Sequence, residues 1–175
     1  NFCSLYLHQG RIVQSRSIES VVKEVTAIAQ DKNFHGTITD IGGPTANLYE
    51  AHCELWNEKG ACKDRRCLFP EKCKNLKLGY SKTIELWERA GLTGRVKHVF
   101  VGSGVRYDLL NSIESDEYLK NLCARHVSGQ LKVAPEHSQP HVLEAMRKPH
   151  FSAYEHFVRR FDAVNKVLGK KQFLV

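Results

Sequence analysis

Apolar residues recur at helical spacing through Ile18, Val21, Val22, Val25, Ile28 and Ala29, and Ser17 stands where an N-cap belongs. The run Gly36-Thr37-Ile38-Thr39-Asp40-Ile41 is short and β-branched and ends at Gly42-Gly43-Pro44, which predicts a strand. After an irregular stretch, residues 81–90 predict a helix with Ile84 and Trp87 turned inward. A second strand is expected over 96–101, closed by Gly102-Ser103-Gly104. Leu119, Leu122, Cys123 and His126 mark one face of a third helix, and 130–134 predict a strand broken by Pro135. Ser138 is placed to cap a turn carrying Val142, Leu143 and Met146. Ser152-Ala153-Tyr154-Glu155 reads as a capping box ahead of a stripe of Phe157, Phe161, Val164 and Leu168, with Gly169 as the C-cap glycine. A last strand begins directly after it.

Helices alternating with strands imply parallel strands covered by helices, the order of both a doubly wound sheet and a (β/α) barrel. Polar residues and glycines gather where each strand ends. Asp40, Gly42, Gly43 and Thr45 follow the first strand, Ser103, Arg106 and Tyr107 the second, and Glu136, His137 and Ser138 the third. Barrel enzymes keep their sites at that C-terminal rim, and open α/β sheets do the same. The expectation is an α/β fold, a partial (β/α) TIM-type barrel with a Cys-rich insertion.

Composition narrows the class. The 175 residues are 42% hydrophobic, enough for a real core, and no apolar run approaches bilayer length. The net charge of +7 with nine histidines permits an anionic partner such as nucleic acid, but Lys and Arg are scattered, so a solvated basic surface is the simpler reading. Asn1-Phe2-Cys3 starts without an initiator Met or a cap, and Gln172-Phe173-Leu174-Val175 reads as a strand cut within a sheet. The expectation is a segment of a longer protein, with targeting signals out of sight.

Four of the six cysteines, Cys53, Cys62, Cys67 and Cys73, fall in one window, separated by eight, four and five residues. Lys59, Lys63, Arg65, Arg66, Lys72 and Lys74 run between them. Thiolates beside cations have lowered pKa values and bind soft metals. Four of them can enclose tetrahedral zinc or an iron–sulfur cluster, although the spacing matches no common zinc-finger pattern. Metal is the first reading, free thiols the second, and a disulfide-tied insertion the third, because the rest of the chain reads as an intracellular enzyme. Cys123 lies on an apolar helix face and reads as core. Cys3, taken alone, reads as structural.

Taken together, several stretches resemble radical SAM proteins, specifically the YgiQ-type family of uncharacterised members. They are Cys3-Ser4 running into His8-Gln9-Gly10-Arg11-Ile12-Val13-Gln14-Ser15-Arg16-Ser17, then Asp40-Ile41-Gly42-Gly43-Pro44-Thr45-Ala46-Asn47, and Cys67-Leu68-Phe69-Pro70. Ser103-Gly104-Val105-Arg106-Tyr107-Asp108 and the run from Val127 to His137 complete the set. The resemblance covers most of the chain. It implies a Cx3Cx2C loop holding a [4Fe-4S] cluster, with Cys3 matching the third cysteine and the first two lying before Asn1. The chain then corresponds to an incomplete radical SAM core over 1–175, lacking its first strand, with the Cys-rich insertion at 50–78.

The resemblance further implies that Gly42-Gly43-Pro44-Thr45 stands where the family has a GGE-type motif whose backbone meets the amino group of S-adenosylmethionine. The acidic residue is missing here, so the contact falls to backbone carbonyls with Asp40 nearby; the plain alternative is a tight turn. Glu136 would accept from ribose hydroxyls, and Lys132 or Arg106 would pair with the methionine carboxylate; ordinary rim ion pairing is the plain alternative for these. Ser103 lies on the same rim. The terminal strand would line the adenine. The implied activity is reductive cleavage of S-adenosylmethionine to methionine and a 5′-deoxyadenosyl radical, with an external electron donor, an unknown substrate and a cytoplasmic location. It belongs to the full-length parent, the segment alone being inactive. The four-cysteine window would then hold an auxiliary iron–sulfur cluster or zinc.

Two other readings stay open. One is a non-radical barrel lyase or hydrolase using Asp40, Glu136 and His137 as acid, base or metal ligands. The other is a binding module in which a zinc or iron–sulfur window contacts nucleic acid through its basic residues.

Overall fold

The computed structural model describes residues 4–175. Its elements are α1 (Ser4–Gln9), α2 (Ile18–Gln30), β1 (Thr37–Ile38), α3 (Glu54–Lys59), α4 (Tyr80–Gly91), β2 (His98–Val99), α5 (Asp116–Asn121), β3 (Gln130–Leu131), α6 (Pro140–Met146), α7 (Phe151–Leu168) and β4 (Phe173–Leu174). Short 3₁₀ turns fill Ala46–Leu48, Tyr107–Leu110 and Ile113–Ser115, and a π-helical turn, Leu122–His126, continues α5. None of the helices is long and apolar enough to cross a membrane, among the described residues.

The strands are parallel, as a helical crossover between them requires. Thr37 pairs with His98 and Ile38 with Val99; Gln130 pairs with Phe173 and Leu131 with Leu174. Main-chain bonds from Val101 N–H to His126 O (2.9 Å) and from Val105 N–H to Lys132 O (3.0 Å) join the two pairs. β1–β2 and β3–β4 are thus two separate two-stranded sheets, set beside each other in chain order by these flanking bonds. The helices follow the same order, α2 against α4, α4 against α5, and α5 against α7, so they form one layer.

Ile38, Val99, Val101 and Leu131 point into that layer and are buried, while their neighbours Thr37, His98, Gln130 and Phe173 are exposed on the other face. The core between sheet and helices holds Trp87, Tyr118, Leu119, Leu122, Phe157 and Phe161, all essentially without solvent contact. Rings pack at 5.1 Å for Tyr80–Tyr118 and for Trp87–Tyr118. His126 stacks on Trp87 at 4.4 Å and reaches Val99 O through Nδ1 at 2.7 Å, tying the π-helical turn to β2.

Local signals placed two of the four expected helix ends. Ser17 caps α2, its Oγ accepting from Ser20 N–H at 3.2 Å, and Gly169 ends α7 at φ +64. Two caps differ from expectation. α7 starts earlier than the Ser152 capping box, because the His150 side chain takes the Ser152 N–H at 3.3 Å. Ser138 does not cap α6. The helix begins at Pro140, whose fixed φ suits the first helical position, and His137 Nδ1 accepts the Gln139 N–H at 2.9 Å.

The stretch after Cys3 is helical as α1. The Tyr6 ring lies 6.0 Å from the Arg11 guanidinium and 5.8 Å from that of Arg66, and Arg66 donates to the Tyr6 hydroxyl at 2.9 Å. Contacts from the Cys-rich insertion hold this helix, and local sequence cannot register them. The insertion has a closed neck, where His52 and Lys77 exchange main-chain hydrogen bonds at 3.0 and 2.9 Å. Inside it a second core of Ala51, Cys53, Trp56 and Leu76 packs with Ile12, Val13, Leu48 and Leu68.

Candidate functional site

β1 and its neighbour end together, and one carboxylate oxygen ties them. Asp40 Oδ1 accepts from Gly102 N–H at 2.9 Å, Ser103 N–H at 3.1 Å and Ser103 Oγ at 3.1 Å. Ser103 Oγ in turn accepts from Gly43 N–H at 3.2 Å. This chain of bonds folds the glycine pair back over the end of the second strand. Gly42 is required there: a Cβ would stand 1.9 Å from Ser103 Oγ and 2.8 Å from Asp40 Oδ1. A Cβ at Gly104, which lies at φ +94, would meet Lys132 O at 2.9 Å. Asp40, Gly42, Gly43 and Ser103 are thus one constellation at the strand ends.

Pro44 and Thr45 continue from it. Thr45 Oγ1 donates to Pro44 O at 2.7 Å, and Ala46 N–H bonds to Gly104 O at 3.0 Å. Thr45 then lines a cavity of about 90 Å³ with Val105, Arg106, Tyr107, Asp108, Ala134, Lys148 and Pro149. Arg106 is committed within the protein. Its Nε lies 2.9 Å from Asp108 Oδ1, and its Nη2 donates to Leu68 O at 3.1 Å. Burial raises the Asp108 carboxyl above its ordinary value, while the Arg106 charge and hydrogen bond pull it back down.

Glu136 sits at φ +69 and pairs with Lys148 at 3.3 Å; Lys148 also donates to Ala134 O at 2.7 Å. Lys132 differs from these: its side chain is exposed, and no hydrogen bond or ion pair reaches its ammonium among the described residues. Of the two cations considered for a ligand carboxylate, Lys132 is the one left open.

Three contributors were not singled out from sequence. Asn47 is buried and clasps the Arg106 main chain from both sides, Nδ2 donating to Arg106 O at 2.9 Å and Oδ1 accepting Arg106 N–H at 2.8 Å. Lys148 pairs with Glu136, and Asp108 anchors Arg106. Tyr107 is buried beside them with an unpartnered hydroxyl, its pKa pushed up to about 12 by burial and then by Asp108. Asn47 and Asp108 each close one of the quoted motif stretches, which is the only signal sequence offered for them.

Cys53, Cys62, Cys67 and Cys73, spread over 21 positions of sequence, line a single cavity of about 30 Å³ with Leu55, Trp56, Arg65, Asn75 and Leu76. Cys53 precedes α3, Gly60 ends that helix, and Cys73 N–H bonds to Cys67 O at 2.8 Å. These five thiols, counting Cys123, are free. The Cys67 thiol is pushed up by burial and then by Cys73, Cys62 and Cys53, with the Trp56 indole working the other way. Among the described residues, no three His, Cys, Asp or Glu side chains are already arranged to hold a metal ion. Cys3 lies outside the described residues.

Two parallel strand pairs, one layer of helices and a glycine-rich polar rim make a mixed helix-and-sheet protein whose candidate site lies at the C-terminal ends of its strands. The chain is 48% identical over 175 residues, its full length, to a UPF0313 protein of Methanosarcina mazei, covering 28% of that protein. It is 46% identical over 174 residues to a UPF0313 protein of Methanocella arvoryzae and 44% identical over 175 residues to one of Clostridium botulinum, covering 29% and 27% of them. The chain thus spans about a quarter to a third of the length of these curated relatives. No family model matches the chain, and no solved structure matches it.

Proposed function

We propose that this chain is part of a radical SAM enzyme, a segment of a (β/α) barrel whose rim binds S-adenosylmethionine beside a [4Fe-4S] cluster. The observation that carries the reading is the Asp40–Ser103–Gly43 lock, which holds the Gly42-Gly43 main chain at the strand ends with open space where a side chain at Gly43 would stand. Two parallel strand pairs set side by side in chain order, with helices in one layer, support a barrel segment, since a doubly wound sheet reverses its order at the site.

In this reading the Gly42-Gly43 main chain orients the amino group of the ligand. Lys132, the cation left open at the rim, pairs with its carboxylate. Glu136, with Lys148 beside it, accepts from the ribose hydroxyls. Arg106 acts one step away by fixing Asp108 and the Leu68 carbonyl. The cluster and S-adenosylmethionine, when bound, supply reductive sulfonium cleavage and a carbon-centred radical for hydrogen abstraction, with an electron from an external donor. The protein's part is orientation and exclusion of water.

The test uses the full-length parent, reconstituted anaerobically with iron and sulfide and reduced with S-adenosylmethionine present. The expected result is 5′-deoxyadenosine and methionine by chromatography, abolished in Cys3→Ala and weakened, through a raised KM for S-adenosylmethionine, in Lys132→Ala. A fully loaded cluster that yields no 5′-deoxyadenosine would overturn the reading.

A further inference from the structure

We propose that Cys53, Cys62, Cys67 and Cys73 bind one zinc ion as four thiolates, forming a closed structural site that holds the 50–78 insertion together. The proposal is independent of the radical SAM reading. Four cysteines from a helix start and three loop positions converge on one cavity whose other walls are Trp56, Leu55, Leu76, Asn75 and Arg65. Trp56 is buried, and its indole N–H lacks a hydrogen-bond partner. It lines the same cavity as the four thiols. A metal-bound sulfur is the acceptor such a donor needs, because ligating thiolates take hydrogen bonds from neighbouring N–H groups.

The cavity the four thiols line has room for more than one water, so a single cation with sulfurs at about 2.3 Å fits within it.

Stability argues for a staple. The neck at His52 and Lys77 closes off fewer than thirty residues, whose own buried core is only Cys53, Trp56 and Leu76, packed with Ala51, Ile12, Val13 and Leu48 from outside it. Units below about 40 residues need a metal, disulfides or a partner to stay folded, and these cysteines form no disulfide.

Charge agrees. Between Cys53 and Cys73's neighbour Lys74 stand six Lys and Arg against four Asp and Glu, leaving two positive charges. Four thiolates around a divalent cation leave two negative ones. Binding releases four protons, one from each thiol, and requires the thiol side chains to turn toward the ion. The insertion so fixed carries Arg66, which holds Tyr6, and the Arg65 carbonyl, which accepts from Arg11. The ion therefore braces α1 as well.

The experiment is metal analysis of the chain purified anaerobically without chelator, followed by mercurial titration. We expect one zinc per chain, released as four thiol equivalents are consumed, and cobalt substitution giving the visible spectrum of a tetrahedral tetrathiolate. In the zinc-loaded chain these four cysteines resist alkylation, mapped by mass spectrometry, and become reactive after chelation. Each Cys→Ser change at 53, 62, 67 or 73 lowers zinc content at least tenfold, while Cys123→Ala leaves it at one. Alkylation mapping and mercurial titration need no variant, so a misfolded mutant does not decide the matter. Substoichiometric metal with identical alkylation before and after chelation overturns the proposal. Iron and acid-labile sulfide near four each per chain, lost with these same cysteines, also overturns it in favour of a cluster.

Discussion

Gly42→Ala is the substitution for which the rim geometry makes the sharpest demand. The new Cβ would stand 1.9 Å from Ser103 Oγ, 2.8 Å from Asp40 Oδ1 and 3.2 Å from Ser103 Cβ. Ser103 Oγ must swing away, which breaks its bonds to Asp40 Oδ1 and from Gly43 N–H. Two solvent-exposed hydrogen bonds amount to roughly 1–2 kcal/mol, and the residual crowding against Asp40 adds about 1–2 kcal/mol. The expected loss is therefore about 2–4 kcal/mol. Ser103→Ala alone removes the two bonds without a clash and costs roughly 1–2 kcal/mol. In the double variant the bonds are already gone and the closest contact is absent. Its cost should fall short of the sum by about 1–2 kcal/mol, the signature of two residues sharing one interaction. Urea unfolding followed by far-UV circular dichroism, with m-values checked for constancy, measures all four corners of the cycle. Costs that add to within about 0.5 kcal/mol would refute the lock as described.

Two further outcomes follow from the core. Phe157 has no solvent exposure and packs with tilted rings between Tyr107 and Phe161, so Phe157→Ala should cost about 3–5 kcal/mol; a shift below about 1 kcal/mol in the same urea assay would mean the helix layer is not packed on the sheet as described. His126 is buried, and desolvation lowers its pKa from 6.5, opposed by its bond to Val99 O, lowered further by Arg125 and opposed by Glu88. The folded state then holds fewer protons on this ring than the unfolded chain, so its contribution is full above the ordinary value and is lost as pH falls through 6.5 toward the lower folded value. The urea midpoint should decline over that window in the native chain and decline less in His126→Gln; parallel profiles would contradict the assignment.

The alternation of helix and strand was legible because it is written in nearest-neighbour spacing. Val25 and Ala29 face the core at helical period, and Ile38, Val99 and Leu131 do so at period two. Ser17 and Gly169 could be assigned from sequence because a cap is satisfied within one turn. The glycine pair and the residues at each strand end were likewise visible, since every parallel strand delivers its C-terminal residues to the same edge.

What sequence alone left open depended on residues far apart in the chain. α1 has little to hold it until Arg66, sixty positions away, reaches Tyr6. Local pattern put the start of α7 at Ser152, whereas the His150 imidazole took the orphan N–H first. Arg106 and Lys132 were equal candidates on paper, and only folding distinguished them, by burying Asp108 against Arg106 and leaving Lys132 in solvent. Cysteine spacing announced a cluster without saying that the thiols share one cavity; the neck between His52 and Lys77 and the packing on Trp56 bring them together. Periodicity and capping follow from local sterics and hydrogen bonding, so sequence carries them. Which side chains meet across loops is decided by chain closure and burial, so only the tertiary structure does.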